Sequence, residues 1–174
     1  MKKILSIILG VFLCSQVFAQ VNVHAGYVNT SYHVSGPGVL GSLPGNGVFV
    51  GAGYDIKSTN YPKISISPEV NFNYVDLHQW ADEGKDIFLN VPIHIKYVMP
   101  MSNIMDPYFS LGPNLVVPLD GGSFDAGFGV SVGALFESNV KLVFGYDFGL
   151  INQSYETNYK ITRNILRIGI GYIF

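Results

Sequence analysis

From Gln20 to the last residue the chain alternates apolar and small polar residues with a period of two, which is the spacing of a β-strand with one apolar face. Val21, Val23, Ala25 and Tyr27 are interleaved with Asn22, His24 and Gly26. The same rhythm returns over residues 48–56, 64–74, 89–97, 108–115, 124–134, 140–149 and 166–174. Eight segments of roughly nine to twelve residues are predicted, the length a tilted strand needs to cross a bilayer.

The second face separates a lipid-facing barrel from a soluble one. A water-soluble barrel carries Lys and Glu on its outer face. Here the residues opposite the aliphatic row are mostly Gly, Ser and Asn with isolated charges. They suit a narrow polar lumen, and the continuous apolar row then faces acyl chains. Tyr27, Tyr54, Tyr74, Tyr97 and Tyr172 fall near segment ends on the apolar face, where an aromatic girdle sits.

The connections between segments alternate in length. Those at 31–46, 75–86 and 152–162 are long, whereas 57–62, 118–123 and 137–139 are short and 99–106 is intermediate. With the N-terminus in the periplasm the three long ones are extracellular, the rhythm of outer-membrane barrels. An even strand count returns both ends to the periplasm, and closure removes the sheet edges that lipid cannot satisfy. The predicted fold is all-β: an eight-stranded antiparallel up-and-down transmembrane β-barrel spanning residues 20–174.

The first 19 residues read as a secretory signal peptide. Lys2 and Lys3 form a basic start, Ile4 to Leu13 an apolar run, and Val17-Phe18-Ala19 a small-residue cleavage site. The run is shorter than the ~20 residues a membrane-spanning helix requires. Cys14 lies inside it. A lipoprotein reading would make Cys14 the lipidated residue, but Phe12 and Leu13 are bulkier than such signals use. Cleavage after Ala19 leaves a chain without cysteine, hence without disulfides or thiolate metal sites.

Removing the signal leaves eight basic against twelve acidic residues, a formal charge of −4. A mildly acidic chain without a Lys/Arg stripe excludes nucleic acid as the expected partner. Charged residues are 13% of the chain and apolar residues 48%, a composition that hides apolar surface in a core or turns it to lipid. No later stretch is an apolar 20-mer, so spanning helices are excluded.

Several strands also carry a family likeness. Residues 90–97, Asn-Val-Pro-Ile-His-Ile-Lys-Tyr, and 107–113, Pro-Tyr-Phe-Ser-Leu-Gly-Pro, resemble motif strands of the PorT-type outer-membrane β-barrel domain of porin-like proteins. The Gly-rich 124–133 segment, Phe144-Gly145-Tyr146 and the closing 166–174 strand extend the resemblance. It implies residence in a Gram-negative outer membrane and, as finer work, an accessory role in protein secretion. The chain also ends as outer-membrane barrels do, on an aromatic at the close of an alternating strand. That resemblance makes Ile168, Ile170, Tyr172 and Phe174 the face read by the barrel-assembly machinery.

Candidate chemistry concentrates on the polar face. Asp55, Glu69, His94, Lys96, Lys141, Asp147 and Arg167, with His24, are predicted inside the lumen. The 152–162 hairpin sets Asp147 almost opposite Arg167, and Glu69 is within reach of His94 or Lys96. Such charges fill an eight-stranded interior as a packed polar core, in preference to lining an ion path.

No metal-ligand cluster or phosphate loop occurs, and no cofactor is expected; Gly36-Pro37-Gly38 and Gly45-Asn46-Gly47 read as turns. His33-Val34-Ser35 is similar to the His-x-Ser of outer-membrane lipid A deacylases. Those enzymes carry it on a late strand, and here no acidic residue accompanies it, so a loop His and Ser is the better reading. Trp80, the one tryptophan, is either a headgroup-level anchor or a partner contact.

Two function classes follow. One is a non-enzymatic structural or surface-interaction protein working through its long connections on a surface or periplasmic protein, with outer-membrane lipid around it. The other is a narrow porin-like channel or a lipid-modifying hydrolase.

Overall fold

The computed structural model describes residues 19–58, 60–77, 84–102, 104–121, 123–152 and 160–174. The signal-peptide reading, Cys14 and Trp80 fall outside the described residues. The eight strands are β1 Ala19–Gly36, β2 Val39–Lys57, β3 Ile64–Asp76, β4 Lys85–Val98, β5 Met105–Pro118, β6 Asp125–Phe136, β7 Val140–Gly149 and β8 Lys160–Ile173. Each pairs antiparallel with its sequence neighbour, and β8 pairs with β1, closing the barrel. Closure gives every strand inside the bilayer two partners, which lipid demands because it cannot hydrogen-bond a free edge.

The alternation is expressed as two walls. Val50, Ile66, Ile95, Val132, Phe144 and Ile170 stand on the outside, each about half exposed to the surroundings. Asn22, His24, Asn71, Asn90, Ser110 and Arg167 point inward and are buried. All five tyrosines assigned to the apolar face lie on the outer wall, where Tyr27 donates its hydroxyl to Asn46. Above that bond the outer wall turns polar, with Asn29, then Ser31 joined to Ser42 at 2.7 Å. The aliphatic band therefore ends near Tyr27 and Asn46.

Three strands carry a proline inside the barrel wall: Pro68, Pro92 and Pro113. A proline has no N–H to give the ladder. Pairing accordingly skips from Gly53↔Glu69 to Ile56↔Ile66, from Pro68↔Ile93 to Asn71↔Asn90, and from Pro92↔Asn114 to Ile95↔Leu111.

The first connection differs from the expectation. Residues 31–46 are not a long loop, because β1 and β2 stay paired up to Gly36↔Val39 and only Pro37 and Gly38 turn. Gly38 takes the left-handed conformation, φ 76°, which a residue without Cβ adopts freely. Gly45-Asn46-Gly47 is no turn but part of β2, opposite Thr30, Asn29 and Val28. Gly and Pro density suggested a loop, whereas the period of two runs on through Thr30, Tyr32 and Val34. β8 follows β1 up to Ser35↔Lys160. β3 leaves β2 at Asn46↔Asp76, and β7 leaves β8 at Phe148↔Asn164. A three-stranded sheet, β2–β1–β8, thus rises above the barrel on the side away from both described chain ends.

Candidate functional site

The lumen is filled in layers. At the base, the end holding Ala19 and Phe174, Lys96 Nζ donates to both carboxylate oxygens of Asp55 at 2.7 Å. Ser67 donates to the same carboxylate at 2.5 Å, and the Lys96 ammonium lies 5.2 Å from the centre of the Tyr108 ring. Lys96 and Asp55 are both almost wholly buried. An unpaired charge would be very costly there, so the pair forms with additional hydrogen bonds around it.

Lys141 from β7 meets Glu69 from β3 at 2.7 Å across the barrel and also donates to Asn22 at 3.2 Å. His24 has Asn71 at 2.6 Å on Nε2, Asn22 at 3.0 Å on Nδ1, and Glu69 at 3.7 Å. The partner of Glu69 is therefore Lys141, neither His94 nor Lys96, because Asp55 takes Lys96 from the neighbouring level. Arg167 Nη2 lies 2.9 Å from Asp147, whose carboxylate also accepts from Asn90 at 2.7 Å. His94 Nδ1 sits 3.2 Å from Ser110, and Ser110 is 2.5 Å from Ser131. Three carboxylates thus face three cations, and the set is formally neutral.

Long side chains from one wall need space on the other. A Cβ on Gly129 would come within 2.3 Å of Asp147 Oδ1 and 2.7 Å of His94 Nε2. Glycine at 129 is what lets the Asp147 and His94 heads pass.

Above the ionic layers the lumen is filled mainly by apolar side chains. Val28, Phe49, Val75, Phe88, Val116 and Ile165 form one apolar cluster, each 3% exposed or less. Over it, Tyr32 donates its hydroxyl to Asp86, and Arg163 Nη2 stands 3.7 Å from Asp86. The Arg163 guanidinium lies between two rings, 5.0 Å from Tyr32 and 4.8 Å from Phe88. Sequence reasoning missed this layer, together with Tyr32, Asp86 and Arg163. The signal was present: Arg163, Ile165 and Arg167 continue the period-two row of β8 upward, past the point where the lipid-facing pattern fades.

The arrangement bears on catalysis. Ser110, His94 and Asp147 are residue types of a hydrolytic triad, yet all three are buried beneath the apolar layer, away from any substrate. His33 and Ser35 project from the exposed outer side of the raised sheet. Their ladder partners are Ser42, Thr162, Leu40 and Lys160, and none is a carboxylate that could orient the imidazole. Among the described residues no group of three or more His, Cys, Asp or Glu is placed to hold a metal ion. Ile168, Ile170, Tyr172 and Phe174 form one outward stripe on β8, with the last two rings edge to face at 5.1 Å.

A closed antiparallel barrel of eight strands, aliphatic outside and ionic inside, defines a transmembrane β-barrel of the outer-membrane class. The chain belongs to the outer membrane protein beta-barrel domain family, whose profile matches residues 5–174. Among solved structures it is similar to Neisserial surface protein A, with TM-score 0.53, 18% identity, and coverage of 88% of this chain and 97% of that one. It is also similar to the outer membrane protein AlkL in lipid bilayers, with TM-score 0.51, 11% identity and 90% of each chain covered. The attachment invasion locus protein Ail of Yersinia pestis gives TM-score 0.47 at 14% identity, covering 90% of this chain and 99% of that one. At these identities the likeness is one of fold. No curated protein matches the chain in sequence.

Proposed function

We propose that this is a non-enzymatic surface protein of the Gram-negative outer membrane, exported by a cleaved signal peptide over residues 1–19. It acts on a partner through the raised β2–β1–β8 sheet and the neighbouring connections. The observation that carries this reading is the filled lumen: paired charges at two levels and a layer of six buried apolar side chains above them. A lumen packed in this way gives solutes no path, and the exposed chemistry left to the protein is at its upper rim. The base then faces the periplasm and the raised sheet faces the medium, in keeping with long connections lying outside. The PorT-like strands at 90–97 and 107–113 support accessory work in secretion as the finer role.

Two measurements test the proposal. Refolded protein in planar bilayers is expected to show no steady conductance. In intact cells, Leu40→Cys is expected to react with a membrane-impermeant maleimide, since Leu40 is 94% exposed. A steady pore would favour the channel alternative, and an unlabelled cysteine at 40 would overturn the surface assignment.

A further inference from the structure

Residues 20–174 contain three methionines, Met99, Met101 and Met105, and all three fall within one seven-residue stretch at the base, where β4 turns into β5. Everywhere else the large apolar positions of the wall are Val, Ile, Leu, Phe and Tyr. What sets methionine apart from these is its thioether sulfur, a soft and polarizable donor on a flexible arm.

The backbone puts the three on one side of the turn. Tyr97 opposes Phe109 on the outer wall, and Met99 N–H donates to the Pro107 carbonyl at 2.9 Å, so the pairing runs on and Met99 keeps the outward side. Val98, Pro100 and Asp106 line the cavity at the base of the barrel, whereas the three methionines do not, as a period of two requires. Met101 is 73% exposed, and Met99 and Met105 are 38% exposed. Hydrogen bonds hold the turn in shape. Met101 N–H donates to Asp106 Oδ1 at 3.1 Å. Ser102 Oγ accepts from Met105 N–H at 3.1 Å and Ile104 N–H at 3.2 Å, and donates to the Met105 carbonyl at 3.2 Å. The main chain at each methionine is thus tied, and a ligand has only side chains left to order. Met99 and Met101 are spaced by about 6.8 Å along their strand, Met105 comes from the opposing one, and three rotatable bonds in each arm let the sulfurs converge.

We infer that Met99, Met101 and Met105 form a thioether site for one soft monovalent cation, Cu(I), at the rim of the base. This goes beyond the surface role and does not depend on the raised sheet. The donor set selects the ion. Ca2+ and Mg2+ take oxygen ligands, and Zn2+ takes thiolate, imidazole or carboxylate, of which the described residues assemble no group of three. Thioethers carry no charge, lose no proton and favour Cu(I). Local charge does not oppose a cation. From Tyr97 to Val140 the chain has no Lys, Arg or His, the Asp106 carboxylate stands at the turn, and Lys63 of the neighbouring turn lines the cavity on the other side.

The test uses the whole protein in lipid nanodiscs with methyl-labelled methionine, so that Met99, Met101 and Met105 each give an NMR signal. The probe is Ag(I), added as nitrate in chloride-free buffer, a redox-inert ion as soft as Cu(I). The three signals are expected to shift together and to saturate at one equivalent, while Zn(II) and Ca(II) move none of them. Cu(I) held by a chromophoric chelator under reducing conditions should be withdrawn by the protein and displace Ag(I). Met101→Leu is as apolar and changes an exposed side chain, so the barrel should keep its heat-modifiable mobility. It should nevertheless weaken binding by roughly tenfold or more, the least that losing a metal site's supporting group costs. Absence of shifts in the unsubstituted protein, three signals that titrate independently, or equal binding by Met101→Leu overturns the site and leaves the methionines as apolar contacts at the membrane rim.

Discussion

Lys96 holds Asp55 by both carboxylate oxygens at 2.7 Å across the lumen wall between β4 and β2, the two side chains being almost wholly buried. Removing one partner strands the other charge. Lys96→Met is therefore expected to destabilise the barrel by about 3–5 kcal/mol, and Lys96→Met/Asp55→Leu to recover most of that loss. Urea unfolding in lipid vesicles, read from the folded and unfolded bands on a detergent gel, checks both. A double variant as unstable as the single one would mean that the pair is not the source of the effect.

Gly129 and Gly41 offer a matched comparison. A methyl at 129 meets Asp147 and His94 at contact distances no side chain tolerates, while one at 41 meets open space. Gly129→Ala should cost about 1–3 kcal/mol by overpacking. Gly41→Ala should leave stability within about half a kcal/mol. Equal costs in the same unfolding assay would refute the packing argument.

The seal of the lumen is assigned to the apolar layer. Phe49 and Phe88 are its largest members, and an apolar constriction blocks flow by excluding water. Phe49→Ala/Phe88→Ala is expected to introduce intermittent single-channel events in planar bilayers where the native protein is silent. Silence in the double variant would assign the block to the ionic layers below.

The lipid band has a measurable upper limit. Val50 stands within the aliphatic band and Ser42 above it, on the same face of β2. Val50→Arg should cost about 2–4 kcal/mol, and Ser42→Arg about 0–1 kcal/mol. Similar penalties at the two sites would place the bilayer boundary elsewhere.

Much of this fold could be read from the chain because its strongest signal is local. Val21, Val23 and Ala25 against Asn22 and His24 state a strand and its two faces within five residues. Eight repeats of that statement imply closure, since lipid tolerates no open edge. The lumen side of Asp55, Lys96, Lys141, Asp147 and Arg167 followed from the same alternation. What local pattern could not supply was the pairing. Glu69 reaches Lys141, which is 72 positions away in sequence, and only the curvature of the closed wall brings β3 opposite β7. The upper layer was missed for a related reason. Tyr32 and Arg163 lie where the outer positions beside them, Ser31, His33, Thr162 and Asn164, are already polar, so the contrast between faces that marks a membrane strand has gone although the strand continues.

The sequence by itself determined the strand count and the sidedness of each strand, because alternation and composition act residue by residue. The tertiary structure decided which charges meet, that an apolar plug lies above them, and that residues 31–46 extend two strands instead of forming a loop. These depend on register and barrel curvature, which bring distant residues to one level, and no short window of sequence contains that information.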